Sequence, residues 1–106
     1  MPIKNIGNIV TLQKNPREQL AEIKQNLNQT IEDLRVRKGF TINRKKYSNQ
    51  KFSEILCLAQ NNKTIAMITV AEIYEYGNNE VGADIDKAIH WYGKAFEMLS
   101  ERKKPS

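Results

Sequence analysis

One cysteine and one histidine occur among the 106 residues, and each scarcity removes a class of function. The single thiol, Cys57, cannot form a disulfide within one chain, so a reducing, cytoplasmic setting suits the sequence best. One histidine and one cysteine fall short of a conventional structural zinc site. The five glycines include no phosphate-binding loop. Long apolar runs are also missing near the amino end, where Ile9-Val10-Thr11-Leu12 is too short for a signal-peptide core or a bilayer span. Export would need another route, and the sequons Asn28-Gln29-Thr30 and Asn62-Lys63-Thr64 are read as chance matches.

What remains has the composition of a soluble globular protein. A chain of this length buries roughly two thirds of its unfolded surface around one core. Residues 1–106 are therefore read as a single domain, with 1–14 as a flexible or capping lead-in. The net charge of +5 suits an acidic partner without diagnosing nucleic acid.

Helix signals follow in series. Asn15-Pro16-Arg17-Glu18 supplies a cap, a proline at the first helical position and a glutamate three residues after the cap. Leu20, Ile23, Leu27, Ile31 and Leu34 then recur at three- and four-residue steps, and Gly39 after Arg35, Arg37 and Lys38 is a stop. The spacing predicts a helix over 16–38. Leu20, Leu27 and Leu34 also fall seven apart, which leaves open a structural homo-oligomer through that stripe, although polar Thr30 interrupts the alternate seam.

Residues 40–47 are read as a loop, after which Ser48 or Asn49 caps a short helix over 49–60 containing Phe52, Ile55, Leu56 and Ala59. A third helix, 63–76, places Ala66, Val70, Ile73 and Tyr74 on one side and stops at Gly77. A fourth, 85–101, starts after the capping Asp84 and carries Ile85, Ala88, Ile89, Tyr92, Ala95, Phe96 and Leu99 at helical period. Residues 100–106 form a charged tail that should fray. The fold class is all-α.

In the last two helices small and bulky residues are segregated. Ala66, Ala71, Ala88 and Ala95 allow close crossing, while Tyr74, Trp91, Tyr92 and Phe96 fill the groove towards a neighbouring layer. Together with Val70, Gly77, Val81, Asp84, Lys87 and Lys94, they give residues 59–99 a spacing that resembles one Sel-one-like repeat, a relative of the tetratricopeptide repeat. Three departures stand out: Ala71 replaces the family glycine, the turn from Gly77 to Asp84 is a residue longer, and Phe96 replaces a small residue. The resemblance implies a tetratricopeptide-like stack of antiparallel helix hairpins, with 15–58 as either a capping helix pair or a degenerate repeat. It also implies a non-catalytic adaptor or inhibitor-like regulatory protein that binds another protein along the first helix of the hairpin. There Ile68, Thr69, Glu72 and Tyr76 lie away from the packing stripe. Richness in Asn, Lys and Ile, with a stand-alone repeat, fits a bacterial regulatory or host-interaction protein.

Catalytic groups are sparse. His90 falls on the polar face of the fourth helix with Asp86, Lys94, Glu97 and Glu101, and is read as a solvated surface residue. Cys57, between Leu56 and Leu58, is read as a small buried hydrophobe. Asp84 and Asp86 are two apart and face different ways, so they are no acid–base pair. No catalytic, cofactor-binding or metal-ligating residue is assigned.

Charge is unevenly spread. Arg35, Arg37, Lys38, Arg44, Lys45, Lys46 and Lys51 occupy a stretch without an acid, whereas Glu72, Glu75, Glu80, Asp84 and Asp86 occupy one without a base. Such a bipolar chain favours an oriented protein partner or head-to-tail association. A small nucleic-acid-binding module built on the basic 35–51 segment, using Arg44, Lys45, Lys46 and Tyr47, is the alternative from a different class.

Overall fold

A side-chain cap opens the first helix. In the computed structural model, which describes residues 15–103, Asn15 Oδ1 accepts the Glu18 N–H at 2.9 Å, and Asn15 Nδ2 donates to the Glu18 carboxylate at 3.0 Å. Helix α1 spans Pro16–Lys38. It ends where Gly39 adopts φ 68° and donates to the Arg35 carbonyl, while the Phe40 N–H reaches back to Leu34. A left-handed residue closes a helix in this way because it turns the chain back over the last free carbonyls.

Helix α2 spans Phe52–Gln60, beginning three residues later than the sequence suggests. Lys51 holds the cap position, and a lysine side chain carries no acceptor. Glu54 compensates by accepting the Lys51 N–H at 3.1 Å, and Glu80 accepts the Phe52 N–H at 3.2 Å. Ser48 and Asn49 instead belong to the run of turns covering 44–50. Helix α3, Thr64–Tyr76, follows a tight turn in which Asn62 takes φ 67°.

Gly77 ends α3 at φ 78°, and a β-carbon there would stand 3.0 Å from the Ala83 nitrogen. Asn78 Oδ1 accepts the N–H groups of Glu80 and Val81, and the Asp84 N–H returns to the Tyr74 carbonyl at 2.7 Å. These bonds fix the turn from Gly77 to Asp84. Asp84 then accepts the Lys87 N–H at 3.2 Å and starts α4, Ile85–Lys103. The expected frayed tail from residue 100 is therefore helical as far as Lys103, while 104–106 and the lead-in 1–14 lie outside the described residues.

The described residues form four helices and no strand, as the all-α expectation requires. Their packing runs α1 on α4, α4 on α3 and α3 on α2. The α3–α4 hairpin lies at the centre of this row, with one flanking helix on each side. Among the described residues α1 and α2 do not pack against each other. Residues 15–58 are thus not a second hairpin, because a repeat requires its two helices to be packed together; they supply two separate covers.

The leucine stripe of α1 is spent inside the chain. Leu20, Leu27, Thr30 and Leu34 are all buried, and α4 is the helix on which α1 packs. That removes the homo-oligomer expected through Leu20, Leu27 and Leu34, since the complementary face is already provided. Helix α3 is buried on nearly every side through Thr64, Ala66, Met67, Ile68, Val70, Ala71 and Tyr74. Ala66, Ala71, Ala88 and Ala95 are each fully buried, in keeping with close helix crossing. Trp91 and Tyr92 join the same core, and Phe52 of α2 meets Tyr74 edge to face at 5.3 Å between ring centroids. No helix among the described residues is long and apolar enough to cross a membrane.

Candidate functional site

Helix α3 carries glutamates one turn apart that meet cations from two other segments. Glu72 pairs with Arg44 at 3.0 Å, and Arg44 also donates to the Asn28 side chain at 3.2 Å. Glu75 accepts from Lys24 of α1 at 2.8 Å through one carboxylate oxygen, and from the Tyr92 hydroxyl of α4 at 2.7 Å through the other. The Lys24 ammonium lies 5.8 Å from the Tyr76 ring centroid and 5.9 Å from that of Tyr92. A recess of ≈ 220 Å³ opens between Lys24, Leu27, Asn28, Arg44, Glu72 and Tyr92.

The electrostatics follow from this geometry. Burial works against the charge of Glu75, yet the hydrogen bonds from Lys24 and Tyr92 prevail and hold its carboxyl below the usual range. The bond to Glu75 raises Lys24 against an opposing desolvation. Burial, reinforced by the bond to Glu75, pushes the Tyr92 phenol far above its ordinary value. At neutral pH the cluster consists of a carboxylate held by an ammonium and a neutral phenol.

The expected partner-binding residues divide. Tyr76 is 73% exposed, the most open of the large apolar side chains among the described residues. Glu72 is accessible but engaged by Arg44. Thr69 is half-buried, and its hydroxyl donates to the Ile65 carbonyl at 2.8 Å. Ile68 is only 1% exposed and cannot serve as a contact in this fold. It lies between Thr64, which lines a recess with Phe40 and Tyr47, and Glu72, which meets Arg44, so the 40–47 segment covers that face of α3.

The basic segment is corrected by the same packing. Tyr47 is a core residue at 7% exposure, unavailable for stacking on a base. Arg44 has a carboxylate partner, whereas Lys45 and Lys46 are exposed. Two groups that the sequence places in rival sites, Arg44 and Glu72, thus bind one another. At this pair the basic and acidic stretches meet within the molecule.

Lys24, Asn28, Glu75 and Tyr92 carry no local signal of this role. Lys24 and Glu75 are distant in sequence, and Tyr92 sits in a run whose aromatic residues read as packing. His90 is exposed beside Trp91, their rings edge to face at 5.3 Å. Cys57 is exposed and free, not buried as expected. Helix α2 touches only α3 among the helices, so Ile55 and Ala59 face inward and Cys57 falls on the outer side. Among the described residues no three His, Cys, Asp or Glu side chains converge as they would to hold a metal ion. Comparison of the chain with protein-family models, with characterised proteins and with solved structures finds no match.

Proposed function

We propose that this chain is a non-catalytic protein-binding module, an adaptor or inhibitor-like regulator, whose contact surface centres on Tyr76 and the Lys24–Glu75–Tyr92 and Arg44–Glu72 pairs. One observation carries the reading: a tyrosine left open to solvent at the edge of a braced cluster of charges. Large aromatic residues and arginine are the side chains in which interface energy concentrates, and a rigid surround spares the partner the cost of ordering them. The Sel-one-like spacing of residues 59–99 supports the same reading, because such hairpins are scaffolds for protein contact. A bacterial source and a cytoplasmic setting belong to this proposal, the latter suited by the open, free thiol of Cys57.

The basic segment is a weaker candidate for nucleic acid, because Arg44 is neutralised and Tyr47 is enclosed. Quantitative capture from the native cytoplasm with the full chain and with Tyr76→Ala tests the protein-binding reading. A specific partner retained by the first should lose about tenfold or more in affinity with the second, at an unchanged melting temperature. Equal capture by both would remove Tyr76 from the interface.

A further inference from the structure

The opposite end of α3 has chemistry that the Tyr76 surface does not use. Helix α3 has no side-chain cap, and the first N–H to return a bond is that of Met67, to the Lys63 carbonyl at 3.0 Å. The N–H groups of Thr64, Ile65 and Ala66 therefore have no acceptor among the described residues. A recess of ≈ 260 Å³ opens at this helix end, walled by Lys46, Lys63, Arg102, Thr64, Phe40 and Tyr47, with no carboxylate in its lining among the described residues.

The three cations reach it from separate segments: the 40–50 loop, the α2–α3 turn and the last turn of α4. None forms an ion pair with another described residue. Aromatic faces position two of them without neutralising them, Arg102 lying 5.4 Å from the Phe40 centroid and Lys46 5.7 Å from that of Tyr47. Lys38 donates to the Arg102 carbonyl at 2.5 Å and ties the end of α1 to the same corner.

A second observation concerns a side chain at this end and not the backbone. Thr64 is only 9% exposed, yet its hydroxyl makes no hydrogen bond to any described residue. No fully enclosed side-chain polar atom lacks a partner, so this hydroxyl is not sealed in the core; the recess is the space that the residue borders. Thr64 is thus a largely enclosed residue whose one unpaired donor is left accessible where it borders the recess.

We propose that the recess is a binding site for a dianionic phosphate group. The positive end of α3, its free N–H groups, the Thr64 hydroxyl and three unpaired cations present donors that three terminal phosphate oxygens can accept, whereas a single carboxylate would leave part of this charge unmatched. The site stands apart from the Tyr76 surface and does not depend on it.

The test uses the full ¹⁵N-labelled chain titrated with sodium phosphate at constant ionic strength, sodium chloride making up the balance. Saturable shifts of the Thr64, Ile65 and Ala66 amides are expected. Lys63→Asp puts a carboxylate at the cap of α3, so phosphate affinity should fall by about tenfold or more, as when a charge-assisted hydrogen bond is lost, while the melting temperature rises. Lys46→Ala with Arg102→Ala should weaken binding similarly, and Arg17→Ala, at the exposed start of α1, should leave it unchanged. A phosphoserine peptide and its unphosphorylated form distinguish the sources: tighter binding than inorganic phosphate assigns the site to a phosphorylated chain, equal or weaker binding to the free ion. Shifts linear in phosphate, shifts spread over all surface lysines, or binding undiminished by Lys63→Asp would overturn the proposal.

Discussion

The two helices that flank the central hairpin are unequal. Helix α1 has 23 residues, a side-chain cap at one end and a left-handed glycine at the other, and it fixes a row of leucines against α4. Helix α2 has nine residues, a lysine at its cap, and two fully buried side chains, Ile55 and Ala59. The first is held by its own sequence together with apolar burial, whereas the second relies on borrowed partners: Glu80 from the α3–α4 turn and Tyr74 from α3. The charge cluster sits on the α1 side, and the exposed thiol of Cys57 sits on the α2 side. A helix of marginal length is stable only while its neighbours hold it, so the α2 flank is the part of the core with least independent support.

Truncation of a core leucine gives the sharpest contrast. Leu27→Ala should cost about 2–5 kcal/mol in chemical denaturation, whereas Leu56→Ala, at a half-buried position of α2, should cost well under that. Equal costs would make the flanks equivalent. Next in size is the charge cluster, where Glu75→Gln should cost about 1–3 kcal/mol. Its pH dependence has a definite sign. The folded-state carboxyl is depressed, so its contribution is present above the ordinary value of 4.5 and is lost as pH falls through the folded value. Lys24 and Tyr92 are raised, so theirs is complete below 10.5 and 10.0 and declines as pH climbs beyond. Stability measured against pH should therefore drop at both extremes, with the alkaline drop reduced in Tyr92→Phe. The smallest effects belong to the caps: Asn15→Ala should lose about 1 kcal/mol, while Lys51→Ser should gain a few tenths.

Much of this was legible in the residues themselves. The signals at Asn15-Pro16, Gly39, Gly77 and Asp84 are local chemistry, and the helices begin or end beside each of them. Which surfaces meet was not legible, because periodicity identifies an apolar face without naming what it touches. The stripe of α1 suits another chain, α2 or α4 equally well, and only the fold selects α4. Ile68 and Tyr47 misled for a related reason: each looked like an outer residue of its own element until the 40–47 loop folded over α3. One available signal was that α3, Thr-Ile-Ala-Met-Ile-Thr-Val-Ala, is apolar all round, as helices buried on several sides are. The α1–α3–α4 cluster joins residues too far apart for any spacing rule to connect.

The packing of α1 against α4 also dictates an order of events during synthesis. Leu20, Leu27 and Leu34 leave the ribosome before the loop, α2 and α3, and the surface they need is the last of these four helices. Until α4 is released, α1 has no place to bury its leucines, so the core closes late, by a long loop whose ends must find each other. Until then the leucine stripe of α1 stays uncovered.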